Sequence, residues 1–225
     1  IKLRNMHVVV VLAGEVVLTR EITRQLQGAD LVIAADGGAD RLGKNDYLPD
    51  VLVGDLDSVS QGMRNKLISR AVEVQRFPTD KDATDGELAI VEAVKRGATS
   101  ITVLGSRGGP RADHELANLL LLADPRLKGI DVQLLTDTTI IRAIGPGQHM
   151  LDVEPGCTIS IVPISSIVRG VSVSGVCWPL TNSDLNLGST LSVSNRAIDK
   201  KITVDISSGT ALIYRDFHSI NKTGH

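Results

Sequence analysis

The sequence predicts an α/β N-terminal domain with a mostly parallel sheet in Rossmann-like layers, followed by an all-β, sandwich-like C-terminal domain. In the first part of the chain, short apolar runs rich in β-branched residues alternate with segments of helical period. Continuous apolar strands that alternate with helices are typical of a parallel sheet covered on both faces. From Thr136 onward we find no helical period, and short β-rich runs are separated by turn residues. We therefore place two domains at residues 1–137 and 138–225.

Six strands and four helices are predicted in the first domain. The strands are the apolar or β-branched runs at 7–13, 30–35, 51–53, 72–77, 100–104 and 131–135. The helices lie at 21–27, 61–70, 84–96 and 112–123. Thr19, Ser60 and Thr84 stand where N-caps are expected, and Gly28 and Gly97 stand where the first and third helices should end.

Six strands are also predicted in the second domain. They lie at 140–144, 158–162, 169–174, 191–193, 201–206 and 211–214. Turn signals separate them, among which are Gly145-Pro146-Gly147, Glu154-Pro155-Gly156 and Ser207-Ser208-Gly209. Short strands with such punctuation favour a sandwich or a partial barrel.

Composition and charge argue against several classes of protein. The 225 residues carry a net charge of −2 and 2% aromatic residues, so neither a nucleic-acid or membrane footprint nor a base-stacking platform is expected. No apolar run approaches the ~20 residues that cross a bilayer, and the start of the chain lacks the features of a signal peptide. Cys157 and Cys177 lack the spacing of a zinc site, so we expect two reduced thiols in a cytoplasmic protein.

Acidic residues and glycines follow four successive predicted strands. These segments are 36–40, 54–58, 78–85 and 105–114. Ligands of open parallel sheets bind beyond the carboxyl ends of the strands, so the four segments are expected to converge. Asp55 and Asp57 lie two residues apart and would repel each other without a cation or strong donors between them. Because Mg²⁺ is often shared between carboxylates and phosphates, the sequence predicts a metal–phosphate site.

Each segment also has a simpler explanation. Asp36-Gly37-Gly38 is compatible with a turn, and Asp55 and Asp57 are compatible with turn or capping carboxylates. Thr84 and Glu87 match a capping box, and capping is also an alternative for the aspartates around them. The convergence of four strand ends favours a binding site over four separate local explanations.

A glycine-rich turn leads into the fourth helix. Gly108-Gly109-Pro110-Arg111 places exposed N–H groups at a helix N-terminus, where anions bind, although it matches neither a Walker A motif nor a Gly-x-Gly-x-x-Gly fingerprint. Arg111, His114 and Asn118 share one helix face, with a structural role as the alternative for His114. The core-facing side of this helix is expected to carry Leu116, Leu119 and Leu120.

Six short motifs carry a resemblance over nearly the whole chain, from about residue 8 to residue 214. They are Ala35-Asp36-Gly37-Gly38-Ala39, Gly54-Asp55-Leu56-Asp57-Ser58, Asp80-x-Asp82-x-Thr84-Asp85, Arg111-x-Asp113-His114-x-x-Ala117-Asn118, Trp178-Pro179-Leu180 and Ser192-Val193-Ser194-Asn195. In this order they resemble the thiamine pyrophosphokinase family. Two features depart from the family pattern: Pro110 is inserted before Arg111, and Lys81 lies inside the third motif.

The resemblance implies transfer of the diphosphoryl group of ATP to thiamine with Mg²⁺, giving thiamine diphosphate and AMP, in a homodimer with active sites at the subunit interface. It implies a catalytic acidic cluster of Asp36, Asp55, Asp57 and Asp85. Of these four residues, Asp55, Asp57 and Asp85 would be metal ligands. It implies ATP or phosphate contacts from Gly37, Gly38, Lys81, Asp82, Thr84, Arg111, Asp113 and His114. It implies thiamine contacts from Trp178, Ser194 and Asn195.

Two other functions remain compatible with these residues. One is another Mg²⁺-dependent diphosphoryl or nucleotidyl transferase with a different acceptor, and the other is a nucleotide or thiamine diphosphate binding module without turnover. One aspartate of the acidic cluster is expected to accept the proton of the thiamine hydroxyl, and the sequence does not indicate which one. Trp178 is expected to stack on the cationic thiazolium ring, with a core or interface anchor as the alternative.

Overall fold

The computed structural model describes residues 5–77 and 82–217. The chain divides into two compact units, unit 1 up to Asp137 and unit 2 from Thr138. Unit 1 is an α/β unit with a parallel sheet, and unit 2 consists of antiparallel strands, so the predicted fold class is confirmed. Among the described helices, none has both the length and the apolar character that crossing a bilayer requires.

In the part of the chain that the structure describes, unit 1 is built on six parallel strands. They are β1 His7–Val11, β2 Leu31–Ala35, β3 Val51–Gly54, β4 Glu73–Arg76, β5 Ser100–Leu104 and β6 Asp131–Leu135. The spatial order is β6-β5-β1-β2-β3-β4, in which Val8 of β1 lies between Leu31 of β2 and Ile101 of β5. The chain leaves β1 toward β2 but leaves β5 toward β6, so the order reverses between β1 and β5. Such a reversal opens a crevice at the carboxyl ends of the strands.

Five helices connect these strands within the described residues. They are α1 Arg20–Gln27, α2 Gly38–Gly43, α3 Gln61–Ser69, α4 Asp85–Lys95 and α5 Ala112–Leu121, with a short 3-10 turn at Pro125–Leu127. The predicted N-caps are confirmed, because the hydroxyls of Thr19, Ser60 and Thr84 accept hydrogen bonds from backbone N–H groups in the first turns of α1, α3 and α4. Helix α2 was not predicted, since the glycines at its ends resemble a turn.

The expected core face of α5 is wrong for two of its three leucines. Leu116 is 58% exposed and Leu120 is 47% exposed, and α5 contributes no fully buried residue. Successive residues of a helix are about 100° apart, so leucines at 116, 119, 120 and 121 spread over more than one face. One packed surface cannot cover them all.

Unit 2 contains two antiparallel sheets that share one apolar core. The first sheet has the order β7 Thr139–Ile144, β14 Ala211–Asp216, β9 Thr158–Pro163 and β12 Asn195–Arg196. The second has the order β8 Gly147–Asp152, β13 Lys201–Ile206, β10 Ile167–Ser174 and β11 Leu180–Asn186. Buried side chains from both sheets, among them Ile161, Ile213, Val171 and Val204, form a single cluster. This arrangement is sandwich-like.

The predicted strand at 191–193 is wrong. Val193 closes a turn by donating its N–H to the Thr190 carbonyl at 3.1 Å, and Ser194 has a φ of +62°. A residue with positive φ breaks the extended path, so the ladder with β9 begins only at Asn195, although the Ser192 carbonyl still accepts the Ile161 N–H at 3.0 Å. Strands β8 and β11 were not predicted, because their exposed residues are mostly polar and Gly147 resembles a turn residue.

Candidate active site

The loops after β1 and β5 approach each other closely at the reversal of strand order. The N–H of Gly14 donates to the Gly105 carbonyl at 2.9 Å, and the N–H of Glu15 donates to the Arg107 carbonyl at 2.6 Å. A Cβ at position 14 would lie 2.1 Å from the Arg107 carbonyl oxygen, a distance that requires the backbone to move. Glycine at this position therefore lets the two loops form one wall of the crevice.

Asp36 is held at the end of β2 in an unusual backbone conformation. Its φ is +43°, and its N–H donates to the Val53 carbonyl at 2.9 Å. The following glycines form the start of α2, where a Cβ on Gly38 would lie 2.1 Å from the Val11 carbonyl oxygen. Gly37 is the N-cap residue, and its Cα faces Ala13 and Ser58. These contacts give both glycines a packing role beside Asp36.

Asp55 and Asp57 lie on a tight loop directly after β3. The Asp57 N–H donates to Asp55 Oδ1 at 3.0 Å, and the Ser58 hydroxyl donates to Asp57 Oδ1 at 2.8 Å. Between the two aspartates, Leu56 has a φ of +73°, which a non-glycine residue adopts only at a cost. The loop therefore presents two carboxylates at the expense of local strain.

The carboxylates of Asp36, Asp55 and Asp57 meet in one cluster. One oxygen from each lies within 4.8 Å of the others. Asp36 is 7% exposed, and among the residues that the structure describes its buried Oδ1 has no hydrogen-bond partner. Burial raises the pKa of the Asp36 carboxyl, and the carboxylates of Asp85, Asp57 and Asp55 add to this rise.

These three residues fit a divalent cation. All the ligand atoms that they offer are carboxylate oxygens, the type that Mg²⁺ and other hard cations prefer. A cation would also supply a partner for the orphan oxygen of Asp36 and would offset the mutual repulsion of the cluster. Buried polar atoms are rarely left without a partner unless a ligand or an ion provides one.

Asp85 approaches the same cluster from the first position of α4. Gly54 has a φ of +146°, and a Cβ there would lie 3.1 Å from Asp36 Cβ and 3.2 Å from Asp85 Oδ1. The absence of a side chain at Gly54 thus lets Asp36 and Asp85 approach the same point.

The other residues of the third motif have different surroundings. Thr84 caps α4 by accepting the Glu87 N–H at 3.1 Å, so its hydroxyl stabilises the helix. Asp82 is exposed, and Lys81 and Asp80 lie outside the described residues.

A cleft of about 590 Å³ extends from this cluster across the reversal point of the sheet. Asp36, Asp55, Asp57 and Asp85 line one part of it. The α5 side is lined by Arg111, His114 and Asn118, together with three residues that sequence reasoning missed: Ser106, Arg107 and Glu115. None of the three is a named position of the six motifs. The place of Ser106 and Arg107 directly after β5 was a signal for those two residues, and Glu115 had no such signal.

Arg111 and Asp113 form a close ion pair at the start of α5. The Arg111 Nε donates to Asp113 Oδ1 at 2.9 Å, and its Nη2 donates to Oδ2 at 2.6 Å. This bidentate pair lowers the pKa of the Asp113 carboxyl. By contrast, Arg107 Nε lies 3.8 Å from Glu115 Oε1, beyond hydrogen-bond distance. The cleft therefore contains two arginines, one of them held by a neighbouring carboxylate.

Ser106 and Asn118 connect the end of β5 to α5. The Asn118 Nδ2 donates to the Ser106 carbonyl at 3.1 Å. Ser106 itself is 4% exposed, and its hydroxyl is buried without a partner in the described structure. The lining of the cleft thus contains two buried polar atoms without partners, Asp36 Oδ1 and Ser106 Oγ, as is typical of a ligand site.

In unit 2, Trp178 and Asn195 lie side by side. The Trp178 side chain is 63% exposed, whereas Asn195 is 8% exposed. Asn195 Oδ1 accepts the Trp178 N–H at 3.1 Å, and Asn195 Nδ2 donates to the Trp178 carbonyl at 2.7 Å. Ser194, with a φ of +62°, donates its N–H to Ser160 Oγ at 2.9 Å. The buried amide thus fixes the backbone of an exposed aromatic residue.

Two sequence models of known domain families match the chain. Residues 22–134 match "Thiamin pyrophosphokinase, catalytic domain", and residues 148–211 match "Thiamin pyrophosphokinase, vitamin B1 binding domain". Thiamine pyrophosphokinase 1 of Arabidopsis thaliana is 30% identical over 87% of this chain and 80% of its own length. The crystal structure of thiamine pyrophosphokinase from Bacillus subtilis is 28% identical, covers 94% of this chain and 99% of that chain, and superposes with a TM-score of 0.83. The yeast thiamin pyrophosphokinase structure, at 17% identity and a TM-score of 0.81, shares the fold.

Proposed function

The chain belongs to the thiamin pyrophosphokinase family, and we propose that it handles the diphosphoryl group at the cluster of Asp36, Asp55 and Asp57. It is a thiamine diphosphokinase, and the general reaction of this family transfers the diphosphoryl group of ATP to thiamine. The observation that carries the proposal is the meeting of three carboxylates, one of which has a buried oxygen without a hydrogen-bond partner among the described residues.

ATP-using kinases generally require a divalent metal, and we propose that it is Mg²⁺ in this enzyme. Asp55 and Asp57 would hold it from the loop after β3, with Asp36 and Asp85 on either side of Gly54. When bound, the ion neutralises charge on the phosphates and on the leaving group. The carboxylates would fix its position, and Asp85 among them lies at the start of α4, where Thr84 caps the helix.

Phosphoryl transfer asks the protein mainly to position groups and to compensate charge. The thiamine hydroxyl attacks the β-phosphorus, the bond from that phosphorus to the oxygen of the α-phosphate breaks, and AMP leaves. One aspartate of the cluster accepts the proton of the hydroxyl. We propose that the arginines of the cleft, Arg107 and Arg111, and the N–H groups at the start of α5 contact the phosphates, with His114 beside them.

The identity of the nucleotide product tests this reaction. With Mg·ATP and thiamine, the protein should form AMP and thiamine diphosphate in equal amounts, and chelation by EDTA should stop the reaction until Mg²⁺ is restored. ADP as the product would refute diphosphoryl transfer. Turnover with another acceptor but not with thiamine would identify a different transferase, and tight nucleotide binding without AMP release would identify a binding module.

We propose that Trp178 and Ser194 contact thiamine and that Asn195 acts by holding Trp178. The Asn195 amide oxygen and nitrogen both bond the Trp178 backbone, so a role in positioning agrees with its contacts better than a ligand contact. An exposed indole can stack on the cationic thiazolium ring, with a gain of ~0.5–2 kcal/mol.

We also propose a homodimer whose active sites combine residues of two subunits, as the family resemblance implies. Joint unfolding and refolding of the inactive variant Asp57→Asn with Trp178→Ala, whose KM for thiamine is raised, tests this. Each mixed dimer would hold one intact site, so part of the activity should show the wild-type KM for thiamine. Activity with the raised KM alone, despite mixed dimers detected by mass spectrometry of differently tagged subunits, would place each site within one subunit.

We also propose that this enzyme is cytoplasmic. Cys157 and Cys177 are both free, and free thiols are typical of reducing compartments. Burial raises the pKa of the Cys157 thiol, which keeps it protonated and unreactive.

A further inference from the structure

We propose that Arg64 of α3 is a positioning residue that holds the Asp55–Asp57 loop in its cation-binding shape. The inference rests on the proposed function, because it assigns a purpose to the shape of the loop. Arg64 Nε donates to the Val59 carbonyl at 2.9 Å, and Nη2 donates to the Leu56 carbonyl. A longer contact of 3.5 Å joins Nη2 to the Asp57 carbonyl. One guanidinium thus spans the loop that carries both carboxylates.

The loop needs an external anchor for two reasons. Leu56 has a φ of +73°, a conformation that a non-glycine residue leaves readily unless its surroundings hold it. Asp55 and Asp57 also carry like charges that push the loop open. The backbone hydrogen bond within the loop that would oppose this opening, from the Val59 N–H to the Leu56 carbonyl, is long at 3.4 Å and therefore weak. The planar fork of an arginine holds two carbonyls in a fixed relation, which a lysine cannot do.

The helix that carries Arg64 is itself well anchored. Met63 and Leu67 are buried, and the Ser60 hydroxyl accepts the Met63 N–H at 3.3 Å. The Ser60 N–H and hydroxyl both donate to the Asp40 carboxylate of α2, the helix that follows Asp36. Arg64 and Asp40 therefore connect the Asp55–Asp57 loop with the segment after β2. This connection fixes the relative position of the three carboxylates.

Positioning and plain electrostatics predict opposite results when Arg64 is changed. Arg64 is a cation near a cluster of carboxylates, so Coulomb's law alone predicts tighter binding of a metal ion when its charge is removed. If its main role is to hold the loop, removal weakens binding instead. Partners that orient metal ligands typically contribute 10–100-fold in metal affinity. The sign of the change in affinity therefore decides between the two roles.

The test is a titration of the full chain with Mn²⁺ alone, in which electron paramagnetic resonance measures the free ion. We expect Arg64→Gln and Arg64→Lys each to weaken Mn²⁺ binding about 10- to 100-fold. The matched control is Arg70→Gln, which removes the same charge from an exposed position at the end of the same helix and should leave binding unchanged or slightly tighter. In assays, high Mg²⁺ should restore kcat to the Arg64 variants, which a general loss of structure would not allow.

Unchanged or tighter Mn²⁺ binding by Arg64→Gln would overturn the proposal. If that variant does not fold, Arg64→Lys decides the matter, because it keeps the charge and loses the fork. Wild-type protein that binds no Mn²⁺ would refute the metal site of the proposed function itself, whereas equal binding by wild type and Arg64 variants would refute the positioning role alone.

Discussion

The Asp55→Asn and Asp57→Asn variants are each expected to lose at least about 10³-fold in kcat/KM, or about 4 kcal/mol of transition-state stabilisation. The amide keeps the loop in shape, since its oxygen can still accept the bonds that Asp55 Oδ1 receives from the Asp57 N–H and Asp57 Oδ1 receives from Ser58. What it removes is the negative charge that would hold the cation. The measurement is steady-state AMP formation at a series of thiamine concentrations and saturating Mg·ATP, which gives kcat/KM for thiamine.

The same variants are expected to be as stable as wild type, or more stable. Burial raises the pKa of the Asp36 carboxyl and the carboxylates of Asp85, Asp57 and Asp55 raise it further, as like charges do when no cation lies between them. Removing one charge relieves this repulsion, so the melting temperature without metal should stay constant or rise. Added Mg²⁺ should raise the melting temperature of wild type but not that of the variants.

The control for these variants is Asp46→Asn. Asp46 is exposed, belongs to unit 1, does not line the cleft, and has a φ of +59° that asparagine tolerates as well. It should leave both the rate and the response to Mg²⁺ unchanged. Near-wild-type rates in both loop variants would contradict a metal role for Asp55 and Asp57.

The elements of unit 1 other than α2 were predictable because their signals are local. A hydroxyl residue before an apolar period marks a helix start, and Thr19, Ser60 and Thr84 all cap helices as expected. The parallel strands follow from apolar runs, and their shared carboxyl edge follows from that topology. The approach of Asp36 to Asp55 and Asp57 could thus be anticipated from where strands end.

Features that depend on the path of the backbone could not be predicted. Nothing local in the sequence shows that Leu56 adopts a positive φ, so the span of Arg64 across that loop is visible only in the structure. The burial of Ser106 depends in the same way on the contact between the β1 and β5 loops. In unit 2, β11 contains a Thr-Asn-Ser-Asp run. Because this exposed strand is mostly polar, its sequence does not have the apolar pattern that predicts a strand.

The Trp178→Ala variant is expected to raise the KM for thiamine by roughly 2- to 30-fold, the equivalent of a cation–π contact of ~0.5–2 kcal/mol, and to leave the KM for ATP unchanged. The side chain is 63% exposed, and Asn195 holds the backbone of Trp178 rather than its ring. Truncation should therefore remove a ligand contact without moving the segment or lowering the melting temperature. Leu187→Ala is the matched control, because Leu187 is a similarly exposed apolar residue of unit 2, at 62%.

Fluorescence gives an independent measurement of the same contact. Trp178 is the only tryptophan of the 225 residues, so a change in tryptophan emission reports on this position alone. Stacking of the cationic thiazolium on the indole should quench the emission of wild type as thiamine is added, whereas Mg·ATP alone should have little effect. The half-saturation of quenching should follow the KM for thiamine when Asn195→Ala loosens the Trp178 backbone. Equal rises of both KM values in Trp178→Ala, or emission indifferent to thiamine, would instead assign Trp178 to packing between subunits.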